Sequence, residues 1–530
     1  MRRWNGWGDE AVDFPLPANA RKFLIEKIGV GNPLLDAAFE EVLEKVPPSR
    51  LPSHPLVLKS PEERLRHARG QSLPDWIALR SGNLDTFPDG VGFPETTEEV
   101  QDLLSYAEAT GASVIPYGGG TSVVGHVTPE SSDSPVLTVD LRRMNRLVDL
   151  DKESQIATFG AGAAGPDIEA QLRAHGFTLG HFPQSFEQST LGGWIATRST
   201  GQQSLRYGRI ERLFAGGRMV TPVGPYNLPH FPASAAGPDL HEVALGSEGR
   251  LGILTEVKVR ITPLPERERF YVVFFSRWRK ALEAAKKAMQ AQVPLSMLRL
   301  SNPAETETQL VLAGHERLVS LYEKILVWQG SGPGKCMLAM GVTGSRAQYS
   351  GARRQAVRAF KGAAGFRTGR YLGRKWAESR FRTPYLRNTL WERGYAVDTF
   401  ETATDWPKVD HMMQAMESSL VEVLKGEGER IHVFSHLSHL YPQGASVYTT
   451  AIFRLGSTYE GTLSRWRAMK AAASRAIIDH GGTISHQHGV GTDHAPYLSA
   501  EKGDSGIEMI KVALRVFDPK GMMNPGKLVT

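Results

Sequence analysis

Pro116-Tyr117-Gly118-Gly119-Gly120-Thr121-Ser122-Val-Val-Gly-His126-Val127 is the stretch whose reading decides the fold. Three consecutive glycines followed by two hydroxyl residues serve no packed core; they suit a loop whose backbone something approaches closely. A helical pattern from Glu98 to Ala109 and a short apolar strand from Ser113 to Ile115 precede it, so the glycines fall where a buried strand reaches a rim. Backbone N–H groups can converge there on a phosphate or pyrophosphate. The Gly-x-x-x-x-Gly-Lys-Ser/Thr spacing is absent, and a diphosphate that is bound but not transferred fits better than a phosphoryl donor. Taken alone, the stretch is equally compatible with a glycine turn that holds nothing.

Two further stretches follow in order. Gln184-Ser185-Phe186-Glu187-Gln188-Ser189-Thr190 runs into Leu191-Gly192-Gly193-Trp194-Ile195-Ala196-Thr197-Arg198-Ser199-Thr200-Gly201, and Gly246-Ser247-Glu248-Gly249-Arg250-Leu251-Gly252-Ile253-Leu254 comes later. This ordered set resembles the FAD domain of the vanillyl-alcohol-oxidase (PCMH-type) flavoproteins, from Pro88 to Pro265. The resemblance implies FAD held by Pro116 to Ser122, Gln184 to Thr190, Gly193, Thr197 to Thr200 and Glu248 to Leu254. The histidine that often follows the glycine pair in tethered flavoproteins is absent, so the FAD is expected to be non-covalent. The tail Phe517-Asp-Pro-Lys-Gly-Met-Met-Asn-Pro-Gly-Lys527 resembles the C-terminal signature of the same flavoproteins.

A competing pattern, Gly160-Ala-Gly162-Ala-Ala-Gly165 with Glu187 downstream, matches the dinucleotide fingerprint. It comes after the stronger glycine cluster, and its helix from Ile168 to Ala174 is too short for the usual crossover. A tight turn with Pro166 opening the helix is the better reading.

At 530 residues the chain exceeds one core, and 41% hydrophobic with 22% charged residues is an ordinary globular composition. The net charge of +6 is spread along the chain, which favours anionic ligands or an anionic membrane surface over nucleic acid. Cys336 is the single cysteine, which excludes an intrachain disulfide and a four-thiolate metal site and points to a reducing cytoplasm. No apolar run follows Arg2 and Arg3, and none reaches the length of a membrane span. A cytoplasmic protein is expected, open to peripheral membrane contact and to a homodimer.

The organisation expected is α+β. Residues 1–80 read as an extension wrapped on the main body, with a helix from Leu34 to Lys45 and no chemistry of their own. Residues 81–265 read as the PCMH-type FAD-binding domain, and 266–480 as a cap with an antiparallel sheet. Residues 481–530 read as a segment returning to the flavin. Cap strands are expected at Arg269 to Phe275, Cys336 to Val342 and Ser446 to Phe453, and a helix at Trp278 to Gln290.

Histidines 432, 436, 439, 480, 486, 488 and 494 crowd the last hundred residues, in two sharp groups: His436-Leu-Ser-His439-Leu-Tyr-Pro-Gln-Gly-Ala-Ser-Val-Tyr448 and Ser485-His486-Gln487-His488-Gly489-Val-Gly491. FAD-linked 2-hydroxy-acid dehydrogenases resemble the chain but usually carry His-x-Gly-Asp-Gly-Asn-x-His and Ser-Gly-Glu-His-Gly around a divalent metal. Here Tyr448 stands in place of the second His and Gln487 in place of the Glu, and neither is a good ligand, so no metal is expected. The alkyldihydroxyacetonephosphate synthases, which make the ether bond of ether lipids, are similar in Trp4-Asn-Gly-Trp-Gly8, the flavin stretches, Arg387 near Phe400-Glu401-Thr402, and both histidine groups. They usually show three consecutive histidines where this chain has His486-Gln487-His488.

That resemblance implies exchange of the acyl group of a lipid phosphate, acyl-dihydroxyacetone phosphate, for a fatty alcohol through a flavin N5 adduct. Tyr448 would be the acid/base, its phenol pKa lowered by neighbouring Arg or His. Arg299, Arg387 and His436 would bind the substrate, both arginines acting on its phosphate, and His486 and His488 would orient it or shuttle protons. Either arginine could instead be a structural ion pair. The alternative is an FAD-linked oxidase or dehydrogenase of a small 2-hydroxy acid such as D-lactate or 2-hydroxyglutarate. Acid precipitation of the purified protein should release all of its yellow colour into the supernatant. Flavin retained in the pellet would mean a covalent tether.

Overall fold

The computed structural model describes residues 1–314, 323–365 and 369–529. The glycine loop is presented by a helix and a strand that the local sequence dictates. Helix Thr97–Thr110 is capped by the Thr96 side chain, ends at Gly111 with φ +66°, and buries Val100, Leu103, Leu104 and Ala107 at helical spacing. The strand that follows, Ser113–Tyr117, lies parallel to Val136–Asp140, which runs parallel to Gly90–Gly92; Val57–Leu58 closes this four-stranded sheet. The chain turns out of the sheet immediately after Tyr117, into the glycines.

A five-stranded antiparallel sheet stands beside it, in the order Leu147–Asp151, Ile156–Gly160, Ile253–Arg260, Phe214–Thr221, Gly224–Leu228. The third layer is a six-stranded antiparallel sheet ordered Arg267–Phe275, Cys336–Gly344, Met297–Ser301, Ile431–Leu440, Gly444–Arg454, Tyr395–Asp405. The architecture is therefore α+β, with the antiparallel cap sheet expected from the sequence.

Register in the cap sheet sorts its residues by face. Ser301 pairs with His436, His436 with Tyr448, and Tyr448 with Glu401, so one transverse row carries all four on one face. One residue along, Leu300, Leu437, Val447 and Thr402 form the next row on the opposite face and are fully buried. Helix Val409–Gly426, buried through Met412, Met416, Leu420 and Leu424, packs against the strands Ile431–Leu440 and Gly444–Arg454.

Two sequence expectations change and one holds. The helix expected from Leu34 to Lys45 is confined to Phe39–Glu44, because the Ala37 N–H bonds to the Arg80 carbonyl and holds the preceding chain extended. The Gly160–Gly165 pattern is the tight turn expected, in contact with the protein rather than a nucleotide. A Cβ at Gly160 would meet the Met144 carbonyl, at Gly162 the Leu141 carbonyl and at Gly165 the Phe186 ring. The N-terminal segment is not a passive wrapping: the Trp7 N–H donates to Asn388 Oδ1 at 3.0 Å, and Trp7 reaches the central cavity. Among the described residues, no helix is long and apolar enough to cross a membrane.

Candidate active site

A cavity of about 540 Å³ lies between the glycine loop and the cap sheet. Gly118, Gly119, Gly120, Thr121 and Ser122 line one wall, and their backbone N–H groups have no acceptor among the described residues. A run of free amides on a concave wall is an anion-binding surface. The close approach that the glycines permit comes first from the chain itself. A Cβ on Gly118 would strike the Thr190 hydroxyl, and one on Gly119 the Gln188 carbonyl. The glycines thus let the Gln188–Thr190 segment lie against the loop while the loop's amides stay open to the cavity.

The wall is braced by Glu248, which sits at φ +53° and is 4% exposed. Its Oε1 accepts the Val490 N–H at 2.5 Å and its Oε2 the Gly491 N–H at 2.8 Å, while its Oε1 stands 3.1 Å from His126 Nε2. Asn524 Nδ2 donates to the carbonyls of both Glu248 and His126.

Of the residues assigned to the flavin, Pro116 to Ser122, Gln184, Ser185, Ser189, Thr190, Gly193, Thr197, Ser199, Thr200, Glu248, Gly249, Gly252 and Leu254 line the cavity. The others are elsewhere for physical reasons. Phe186 stacks on Phe381 at 4.8 Å, Glu187 accepts from the Tyr385 hydroxyl, and Gln188 abuts Gly119. Arg198 pairs with Glu242 at 2.5 Å, Arg250 donates to the Asn524 carbonyl, and Leu251 and Ile253 are core. Sequence reading missed His126, which faces Glu248 and lines the cavity, and Gln202, Arg380 and Asn524, which line it with buried polar atoms unpartnered among the described residues. Asn524 had a signal in the tail motif and His126 in the glycine stretch; Gln202 and Arg380 had none that separates them from ordinary polar residues.

The opposite wall holds Arg299, His436 and Tyr448. Arg299 Nη2 contacts Glu305 Oε1 at 2.5 Å, and His436 Nδ1 lies 3.1 Å from the same oxygen. Burial pushes the Glu305 carboxyl up, but the Arg299 charge and the His436 hydrogen bond overcome it and hold the group well below the usual carboxylate range. Arg299 is thereby largely neutralised, which weakens its expected role on a phosphate. His436 stacks on Tyr448 with ring centroids 4.9 Å apart, and burial followed by Arg299 keeps its imidazole neutral.

The expected lowering of the Tyr448 phenol is reversed. Burial, reinforced by the Glu401 carboxyl, pushes it up, and the Thr399 hydrogen bond and the Arg299 charge, which pull it down, do not compensate. Glu401 accepts the Gln487 N–H at 2.7 Å and faces His488 Nδ1 at 3.4 Å. His488 and Gln487 line the cavity. His486 does not: its Nε2 meets the Tyr441 hydroxyl at 2.7 Å, its carbonyl accepts from Arg209, and burial holds its pKa well down. It braces the turn rather than touching a ligand.

Arg387 is the open cation of the site. Its Nη1 donates to the Gln71 carbonyl at 2.5 Å, its guanidinium lies 4.2 Å over the Trp76 ring, and its buried Nε and Nη2 have no partner among the described residues. Burial brings its pKa down to about 10, opposed by Asp398, so it remains charged near neutral pH.

Comparison with known proteins agrees with this geometry. Residues 88–226 match the family described as FAD binding domain, and residues 264–528 match the family described as FAD linked oxidases, C-terminal domain. The alkyldihydroxyacetonephosphate synthase of Trypanosoma brucei brucei is 30% identical, over 99% of this chain and 92% of the relative. That of Dictyostelium discoideum is 30% identical over 99% and 93%. The chain belongs to the alkyldihydroxyacetonephosphate synthase family. A solved structure of an alkyldihydroxyacetonephosphate synthase superposes with a TM-score of 0.85 at 26% identity, covering 99% of both chains. FAD is the cofactor, and the free amides of the glycine loop together with the unpartnered polar atoms of the cavity fit so polar and anionic a group.

Even the smallest side chain should fail at Gly119. Gly119→Ala would press a methyl group against the Gln188 carbonyl, with backbone on both sides and no flexible atom to give way. The variant is expected to lose most of its flavin, read as the ratio of flavin to protein absorbance. Stoichiometric FAD would show that the two segments can separate freely.

Proposed function

We propose that the chain is an FAD-dependent alkyldihydroxyacetonephosphate synthase, exchanging the acyl group of an acyl-dihydroxyacetone phosphate for a fatty alcohol. The observation that carries this reading is Arg387. A buried guanidinium with two free donors is costly unless an anion completes it, and its fork matches a phosphate. The Trp76 ring fixes its plane and the Gln71 carbonyl occupies one nitrogen, which leaves Nε and Nη2 toward the cavity it lines.

In the exchange a C1 proton is removed and later returned. The ester C1–O bond breaks with its electron pair leaving on the fatty acid carboxylate. The alcohol oxygen then bonds to C1 as its own proton is given up, so atoms and electrons balance without an external oxidant. Bound flavin supplies the electron sink for that carbon. Tyr448, with its phenol pushed up by burial and by Glu401, is protonated near neutral pH and is suited to giving a proton. His488, on the cavity wall and 3.4 Å from Glu401, is placed to take the proton of the alcohol, with the carboxyl group stabilising the imidazolium that results. His436, neutral and stacked on Tyr448, holds the phenol ring in place.

The proposal includes residues 81–265 as the flavin domain, 266–480 as the cap and 481–530 as the returning segment. It also includes a cytoplasmic setting in peripheral contact with the membrane that supplies the lipid.

Tyr448→Phe keeps the ring and its stack on His436 but removes the proton. FAD content should be unchanged, and fatty-alcohol exchange should fall on the order of 10²–10⁴-fold. Reduction of a dye by D-lactate or 2-hydroxyglutarate in the parent, with no exchange, would instead establish the hydroxy-acid oxidation chemistry.

A further inference from the structure

The cavity contains a second open cation that the exchange mechanism above does not use. Arg380 lines it, and its buried Nη1 has no hydrogen-bond partner among the described residues. No carboxyl group stands within ion-pair distance of it among those residues. Its guanidinium carbon lies 4.7 Å from the Phe381 ring centroid, 4.8 Å from that of Phe182 and 5.5 Å from that of Phe270. Three aromatic rings strip water from a planar cation without neutralising it, and what remains is a strong, directional donor to an anion. Gln184 Nε2 donates to the Arg380 carbonyl at 3.0 Å, which ties this residue to the segment leading to the flavin wall.

The surroundings of Arg380 specify what kind of anion. Phe270 belongs to an apolar cluster with Met297 and Ala339, against which Met337 and Trp376 pack. Met297, Met337, Ala339 and Trp376 also line the cavity. An apolar strip ending at a dry guanidinium matches an alkyl chain ending in a carboxylate. Arg387 lies over a single ring, Trp76, and has the Gln71 carbonyl and Asp398 as polar neighbours. The exchange handles two anions: the substrate's phosphate, which stays, and the fatty acid carboxylate, formed when the ester C1–O bond breaks. The cavity offers two guanidinium groups with open donors.

Resting on the synthase reading, we propose that Arg380 is the receptor for the departing fatty acid, accepting its carboxylate on the open Nη1 while the chain lies along Met297, Met337, Ala339 and Trp376. The negative charge that grows on the leaving oxygens as the C1–O bond breaks then meets a preorganised donor. The same contact makes the free fatty acid a product inhibitor.

Calorimetric titration of the FAD-loaded protein with hexadecanoate, hexadecanol and dihydroxyacetone phosphate tests this. Arg380→Met should weaken hexadecanoate at least tenfold while leaving hexadecanol and dihydroxyacetone phosphate within twofold. Arg387→Met should do the reverse for the two anions, and Arg380→Lys should recover part of the hexadecanoate affinity. Loss of FAD from Arg380→Met would overturn the assignment in favour of a flavin contact. Equal weakening of all three ligands would overturn it in favour of a structural role, and so would a parent protein that does not bind hexadecanoate. Hexadecanoate binding that depends on Arg380, in a parent protein without exchange activity, would leave the carboxylate subsite standing while the synthase reading fell.

Discussion

One buried carboxyl group holds the flavin wall together. Glu248 takes the Val490 and Gly491 N–H groups on its two oxygens and faces His126 from the glycine loop, while Asn524 of the tail clasps its carbonyl. Burying such a group is unfavourable unless its oxygens are satisfied, so three segments far apart in sequence must come to it together. Its left-handed backbone, φ +53°, is the strain accepted to aim the side chain. The glycine loop with its open amides and the turn that carries His488 are therefore parts of one bonded unit.

The cap sheet supplies the complementary constraint. Because side chains alternate in a strand, placing His436, Tyr448 and Glu401 in one transverse row commits the neighbouring row to the fully buried Leu437, Val447 and Thr402. A slip of one residue would put the reacting groups into the helical layer and the aliphatic groups into the cavity. The ion pair of Arg299 with Glu305 closes the end of this row. It consumes the charge of Arg299 and leaves Arg387 and Arg380 as the cations with open donors.

The histidines show how environment divides a cluster that looks uniform. His439 lines the cavity but is buried, with its pKa brought down to about 3, and its Nε2 sits 3.2 Å from the Gly201 carbonyl. His494 takes Lys470 on Nε2 at 2.7 Å and meets the Gly489 carbonyl through Nδ1, which fixes the turn behind His488. His432 is held by the Thr308 hydroxyl, and burial brings it down to about 4. These three are neutral structural groups, whereas His488 lines the cavity and faces Glu401 at 3.4 Å.

The sequence alone determined the ligand class and the elements. The glycine run, the ordered flavin stretches and the replacement of metal ligands by Tyr448 and Gln487 are local patterns. So are the capped helix before the glycine loop and three of the six cap strands, Arg267–Phe275, Cys336–Gly344 and Gly444–Arg454, each expected to within two residues of its bounds. Only the tertiary structure decided which members of each motif touch the cavity. That choice rests on contacts such as Gln71 with Arg387, 316 residues apart, and Val490 with Glu248, 242 apart. It rests as well on register across strands that are not adjacent in the chain. The direction of the Tyr448 shift was misread for the same reason. From sequence, Arg299 is a nearby cation; in space its pull on the phenol is outweighed by burial and by the Glu401 carboxyl.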